Sequence, residues 1–277
     1  MEESNIFLGT SGWSYKEWEG PFYEKNEKRK LLAYSRIFST VEIDSTFYRI
    51  PTKGMVIGWL RYSPPNFIFS AKLPQTITHT KKLGLAGEVK SDLEEFLNTI
   101  RPLQLGGKLS CLLIQLPPSY RFNFDNLRDF FEILDPFFRY AVEFRNPSWM
   151  QPQTWELLKK YNIAYVNVDE PLLPSDIHLT TDFAYFRWHG HGKNPWFDYK
   201  YTKSQLEAWV PKIEKAAKET KKIVGYFNNH YHGYAPENCL YLIEKLRLLT
   251  QEQKNQLKKT HKTQLTLGSY LEKSKRE

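Results

Sequence analysis

Acidic and basic side chains recur at one end of a series of short β-rich runs, and their types suit proton transfer and anion binding. Val41-Glu42-Ile43-Asp44, Ala141-Val142-Glu143-Phe144-Arg145 and Tyr185-Phe186-Arg187-Trp188-His189 each alternate apolar with polar residues. A strand with that period of two sends its apolar side chains to one face and its polar ones to the other. In a parallel sheet covered by helices the outer face must be apolar, so Glu42, Asp44, Glu143, Arg145, Arg187 and His189 point inward. The same rule takes Ile68, Ser70 and Lys72 inward. It groups Tyr165, Asn167 and Asp169 opposite Val166 and Val168, and sets Val224, Tyr226 and Asn228 together. Gln115 stands among leucines that give no alternation.

An interior this polar is costly, since breaking a buried ion pair costs about 3–5 kcal/mol. Seven ionisable groups (Glu42, Asp44, Lys72, Glu143, Arg145, Asp169 and Arg187) fall near the strand ends where barrel enzymes place their chemistry. A structural network of ion pairs is the rival reading. Read as a site, Glu143 is the expected acid/base and Glu42 its partner. One carboxyl would be kept protonated by burial and the other ionised by an arginine. Asp44 and Lys72 join them as catalytic candidates. Lys72 would serve as a Schiff-base nucleophile if desolvated, although a salt-bridged lysine is the simpler reading. Arg145 and Arg187, with Lys72, make an anion clamp. His189, Asn228 and Asp169 would position the ligand. Trp13, Phe47, Tyr48 and Trp149 follow strands one, two and five as a stacking wall, or else plug the loops. No cofactor is expected, and no metal is favoured. The grouped donors, were a metal held, would be His189, His191, His230 and His232. A retaining glycosidase of the familiar barrel kind is disfavoured, because strands four and seven end in Gln115 and Arg187/His189 rather than acids.

The elements that must position these groups follow one repeat. β-rich runs at 6–10, 40–44, 67–72, 109–116, 140–145, 164–169, 183–189 and 223–228 recur roughly every 30 residues, most of them separated by helical spacing. Leu93, Phe96, Leu97 and Ile100 mark one helix; Leu206, Trp209, Val210, Ile213 and Ala217 predict one longer helix after the seventh run. Eight such units read as an α/β (β/α)8 barrel in one domain, with the sixth helix reduced or missing because Pro171 and Pro174 interrupt it. A doubly wound open sheet is the alternative, but no glycine-rich turn follows the first strand. The barrel is assigned to residues 1–250 and a basic extension to 251–277. That extension carries seven Lys/Arg against three Asp/Glu, half of the chain's formal charge of +8. The 277 residues are 41% hydrophobic, which excludes disorder as the overall state. No apolar run is long enough to span a bilayer, and the start lacks a secretory pattern. Cys111 and Cys239 read as reduced, buried thiols, so a cytoplasmic protein is expected.

Five motifs in order then carry a resemblance. They are Gly9-Thr10-Ser11-Gly12-Trp13; Glu42-Ile43-Asp44-Ser45-Thr46-Phe47-Tyr48; and Glu143-Phe144-Arg145-Asn146-Pro147-Ser148-Trp149. Tyr185-Phe186-Arg187-Trp188-His189-Gly190 follows, then Phe227-Asn228-Asn229 with Gly233, Ala235 and Asn238. From about Phe7 to Leu248 the chain resembles the YecE-like family, domain of unknown function 72. The resemblance implies a (β/α)8 barrel distantly similar to the endonuclease IV and xylose-isomerase type, and no established reaction. The expected function is therefore a metal-independent hydrolase or lyase acting on a small anionic, phosphorylated or sugar-like compound. Two rivals stay open. One is a nucleic-acid-binding or repair-related protein using the basic tail; the other is a barrel that binds a metabolite without turning it over.

Overall fold

The computed structural model describes residues 4–86 and 88–258. Eight parallel strands lie in the order β1-β8-β7-β6-β5-β4-β3-β2: β1 (Ile6–Thr10), β2 (Thr40–Ile43), β3 (Ile68–Lys72), β4 (Leu109–Gln115), β5 (Tyr140–Glu143), β6 (Ala164–Asp169), β7 (Phe183–Trp188) and β8 (Lys222–Phe227). Helices α1 (Lys30–Ser35), α2 (Lys53–Tyr62), α3 (Val89–Leu105), α4 (Phe124–Glu132) and α5 (Pro152–Lys160) follow the first five strands. Residues 170–182 join β6 to β7 without a helix, as the two prolines predict. The single helix expected after β7 is two, α6 (Lys203–Glu207) and α7 (Val210–Glu219). Pro211 lies in the first turn of α7, where a missing N–H costs nothing, and cannot continue a preceding helix. After β8 comes α8 (Tyr234–Lys245).

The outward strand residues Val41, Ile43, Phe69, Ala71, Val142 and Phe186 pack against these helices as the alternation requires. Ile68, Leu113, Ala141, Tyr185 and Val224 fill the barrel interior. One strand is turned over relative to expectation. Ala164, Val166 and Val168 of β6 face the interior, whereas Tyr165, Asn167 and Asp169 face out. The cause is the missing helix. A loop covers the outer face of β6, and its backbone groups need polar partners. Asn167 Oδ1 accepts the His178 N–H at 2.8 Å, and the Tyr165 N–H donates to Thr180 Oγ1 at 2.8 Å.

Between β1 and β2 the barrel closes without a regular ladder. The Gly12 N–H reaches the Glu42 carbonyl at 2.8 Å, and lower down the Tyr34 hydroxyl spans the gap. It accepts from the Thr10 N–H at 2.9 Å and donates to the Thr40 carbonyl at 3.1 Å. Gly9 permits this approach, since a Cβ there would lie 2.2 Å from the Thr40 oxygen. Tyr34→Phe should therefore destabilise the fold by about 1–3 kcal/mol in urea unfolding, the cost of orphaning a buried polar group. An unchanged midpoint would show that the seam does not need the hydroxyl.

Residues 251–258, which sequence assigned to the extension, are helical and packed on the barrel. Gln253 and Leu257 are buried, and Gln253 Nε2 donates to the Ile37 carbonyl at 2.8 Å. Lys259, Lys262, Lys273, Lys275 and Arg276 of the basic extension lie outside the described residues. Cys111 and Cys239 are free and buried. No helix among the described residues is long and apolar enough to cross a membrane.

Candidate active site

At the C-terminal ends of the strands, Arg187 of β7 lies between two carboxylates. Its Nη2 donates to Glu42 Oε1 of β2 at 2.7 Å and its Nη1 to Glu143 Oε2 of β5 at 2.6 Å, and all three side chains are 0% exposed. Ser11 Oγ and the Tyr185 hydroxyl complete the shell of Glu42 at 2.5 and 2.6 Å. Glu143 Oε1 accepts from Gln115 Nε2 at 2.7 Å and Arg145 Nε at 2.8 Å, with His189 Nε2 at 3.1 Å. Burial alone would raise the Glu143 carboxyl. The Arg187 guanidinium, with His189 and Arg145, overcomes burial and holds it well below the usual carboxylate range. Two negative and one positive group thus form a closed ionic floor. This geometry does not supply the expected acid–base pair: Glu143 is held ionised, and both glutamates are saturated with donors and sealed from solvent.

A rim stands on this floor. Arg145 follows β5 with its side chain 20% exposed, Nε on Glu143 and Nη2 3.2 Å from His189 Nε2. Its Nη1 has no hydrogen-bond partner among the described residues, and the guanidinium carbon lies 5.9 Å from the Trp196 ring centroid. Lys72, at the end of β3, pairs with Asp44 at 2.5 Å and donates to Gln115 Oε1 at 3.3 Å; the ammonium sits 5.3 Å from the centre of the Phe47 ring. The ion pair is the simpler lysine reading rather than a free nucleophile. Burial opposes ionisation of Asp44, but Lys72 overcomes it and lowers the carboxyl. His189 is buried between Glu143 and Asn228, whose Nδ2 lies 3.0 Å from Nδ1. Burial, aided by Arg145 and Arg187 against Glu143, lowers His189 to about 3, so the imidazole is neutral with both nitrogens occupied.

Of the residues read from sequence as ligand contacts, Asp169 and Trp149 are taken up by other partners, while Tyr48 and Trp13 keep exposed surface. Asp169, on the outward face of β6, is occupied by His191 Nε2 at 2.7 Å and Trp209 Nε1 at 3.0 Å. Trp149 is fully buried, stacked on Phe144 at 4.6 Å and Tyr120 at 5.6 Å, and so plugs a loop rather than walling a cleft. Tyr48 is 68% exposed, touching Phe47 edge-on at 5.2 Å. Trp13 is half-buried and packs edge-on against Trp59 at 6.2 Å. The four histidines do not converge. His191 pairs with Asp169, His230 stacks on Tyr15 at 4.4 Å, and His232 lies 3.6 Å from Asp198. Among the described residues no group of three or more His, Cys, Asp or Glu is placed to hold a metal ion.

Two residues that sequence reasoning missed belong to the rim. His79 lies in the π-helical turn Thr76–Thr80 after β3, its ring 4.8 Å from Phe47. Burial, then Lys72 and Arg145, lower its affinity for a proton. Glu170 continues the inward series Ala164, Val166, Val168. The β6–β7 register pairs Val168 with Arg187 and Asp169 with Trp188. The His189 N–H then bonds the Asp169 carbonyl at 3.0 Å, which carries the ladder on and sets Glu170 beside His189. Glu170 is 4% exposed, and neither carboxyl oxygen has a hydrogen-bond partner among the described residues. Burial, reinforced by Glu143 and only partly offset by Arg145, pushes it up to about 7. A cavity of about 350 Å³ lies at the opposite end of the barrel, beneath the starts of β1, β2 and β3, away from all of these groups.

With this geometry in view, the relatives are informative. A DUF72 family protein of Thermotoga maritima is 32% identical and superposes with a TM-score of 0.80, covering 87% of this chain and 99% of that one. A DUF72 family protein of Enterococcus faecalis is 26% identical at a TM-score of 0.77, covering 90% and 100%. The UPF0759 protein YunF of Bacillus subtilis is 26% identical over 279 residues, 87% of this chain and 94% of YunF. The eight-stranded barrel is therefore the architecture of its relatives. The family described as protein of unknown function DUF72 matches residues 7–264, and the chain belongs to it.

Proposed function

We propose that the C-terminal mouth is an enzyme site for a small anionic, phosphorylated or sugar-like compound, working by side-chain proton transfer as a hydrolase or lyase. The supporting observation is Arg145. Its side chain is partly exposed, its Nε is pinned to a buried carboxylate, and its Nη1 has no hydrogen-bond partner among the described residues, which suits a guanidinium prepared for an incoming anion. Lys72, held by Asp44, adds an ammonium beside the Phe47 ring, and the neutral His189 and Asn228 contribute fixed dipoles. Because the ionic floor is already satisfied, these donors need no rearrangement when a ligand arrives.

The test is a panel of sugar phosphates and sugar acids, with single-stranded DNA as a comparison, followed by proton NMR for turnover and calorimetry for binding. Turnover of a phosphorylated or carboxylated member is expected, with its binding weakened at least about tenfold, or 1.4 kcal/mol, in Arg145→Gln and less so in Arg145→Lys. Wild-type protein that ignores the whole panel, or that responds only to DNA in a salt-dependent manner, would overturn the reading.

A further inference from the structure

Resting on the anion-site reading, we infer that Glu170 makes ligand capture proton-coupled: the mouth takes up a small phosphate- or carboxylate-bearing molecule together with one proton, held as the neutral Glu170 carboxylic acid. The argument begins with placement. Glu170 follows the last residue of β6 and shares the parity of Val168, and the β6–β7 register, carried on by the His189 N–H bond to the Asp169 carbonyl, sets it beside His189. Its side chain is buried, yet neither oxygen has a hydrogen-bond donor among the described residues. Every other carboxylate of the cluster (Glu42, Asp44 and Glu143) has an arginine or lysine within 2.8 Å. An ionised carboxylate without donors is disfavoured at such a position, and a neutral one supplies an O–H donor.

The charged and titratable groups around Glu170 set the direction of the coupling. Glu143, from β5, disfavours its ionised form, and Arg145, which follows β5, favours it. Tyr165 on β6 feels the charges of both Glu143 and Glu170, and His189 on the β7 side is neutral. Arg145 is thus the main support for a Glu170 anion. A phosphate that occupies Arg145 cancels that support and brings its own negative charge, so the carboxyl gains a proton from solvent. The O–H so formed donates to an anion oxygen that an ionised Glu170 would repel. No bond other than this O–H is made or broken.

Inorganic phosphate is the probe. Calorimetric titration near pH 7.5 in buffers of different ionisation enthalpy should show a fraction of a proton more taken up per phosphate bound by the wild type than by Glu170→Gln, the ionisation of phosphate itself being common to both. Glu170→Gln should still bind phosphate, and its affinity should fall less with rising pH than that of the wild type. In parallel, the ¹³C carboxyl resonance of Glu170, assigned by its loss in Glu170→Gln, should titrate near 7 in the free protein. Glu170 titrating in the ordinary carboxylate range while phosphate still binds, or equal proton uptake by wild type and Glu170→Gln, overturns this inference alone. Failure of wild-type protein to bind phosphate overturns it together with the anion-site reading.

Discussion

Arg187→Met should cost about 3–5 kcal/mol of folding stability, because it leaves Glu42 and Glu143 facing each other in a sealed interior without their shared cation. The pH dependence should also change sign. In the wild type Glu143 is held well below its ordinary value, so its contribution is intact above about pH 4.5 and fades as pH falls through the folded value. Without Arg187 the Glu143 carboxyl loses its main stabiliser and burial raises its folded value above the unfolded one, so the variant should gain stability relative to wild type as pH falls. Adding Glu42→Gln and Glu143→Gln should recover much of the loss, since a buried triad replaced by neutral groups is often tolerated. Urea unfolding across pH 4–8 reads all three outcomes. An Arg187→Met variant within about 1 kcal/mol of wild type, with an unchanged pH profile, would show that the triad is not the floor described.

Glu170→Gln should act in the opposite direction. A carboxyl moved from 4.5 to about 7 makes a contribution that is intact below pH 4.5 and is lost as pH rises through about 7. At pH 8 the wild type therefore carries an ionised, unpartnered carboxylate costing about 3 kcal/mol, an order-of-magnitude figure from 1.36 kcal/mol per unit. The glutamine variant should be more stable by a comparable amount at pH 8 and nearly equal to wild type at pH 4.5, while losing the proton coupling of anion binding. Stability given up at a buried position is the expected signature of a residue retained for function. Equal stability of the two proteins at pH 8 would place Glu170 in water, paired, or with an ordinary carboxylate titration.

Most of the barrel was legible because its signal is physical and repeated. Val41/Ile43 against Glu42/Asp44, and Phe186 against Arg187, obey the alternation that a helix-covered parallel sheet imposes. The reading failed where that premise failed. No helix follows β6 among the described residues, and a loop takes its place, so the outer face accepts Asn167 and Asp169 and the valines turn inward. The same inversion concealed Glu170. It lies just past the run at 164–169 and next to Pro171, although Ala164, Val166, Val168 and Glu170 share one parity. For Trp149 the sequence left wall and plug open, because spacing locates a tryptophan after a strand but does not say whether Phe144 and Tyr120 enclose it. His79 gave no signal, since the π-helical turn that carries it is set by tertiary packing rather than a local pattern.

The central claim is that Arg145 and Lys72 form the receiving edge of an anion site above a closed ionic floor. Crystals of the wild-type protein grown without phosphate or sulfate and then soaked in inorganic phosphate test it most directly. The account predicts a tetrahedral density feature within hydrogen-bond distance of Arg145 Nη1, with Glu42, Arg187 and Glu143 unmoved beneath it. A clean map at the mouth at saturating phosphate, or an anion that binds only by breaking the Arg187 pairs, would contradict it.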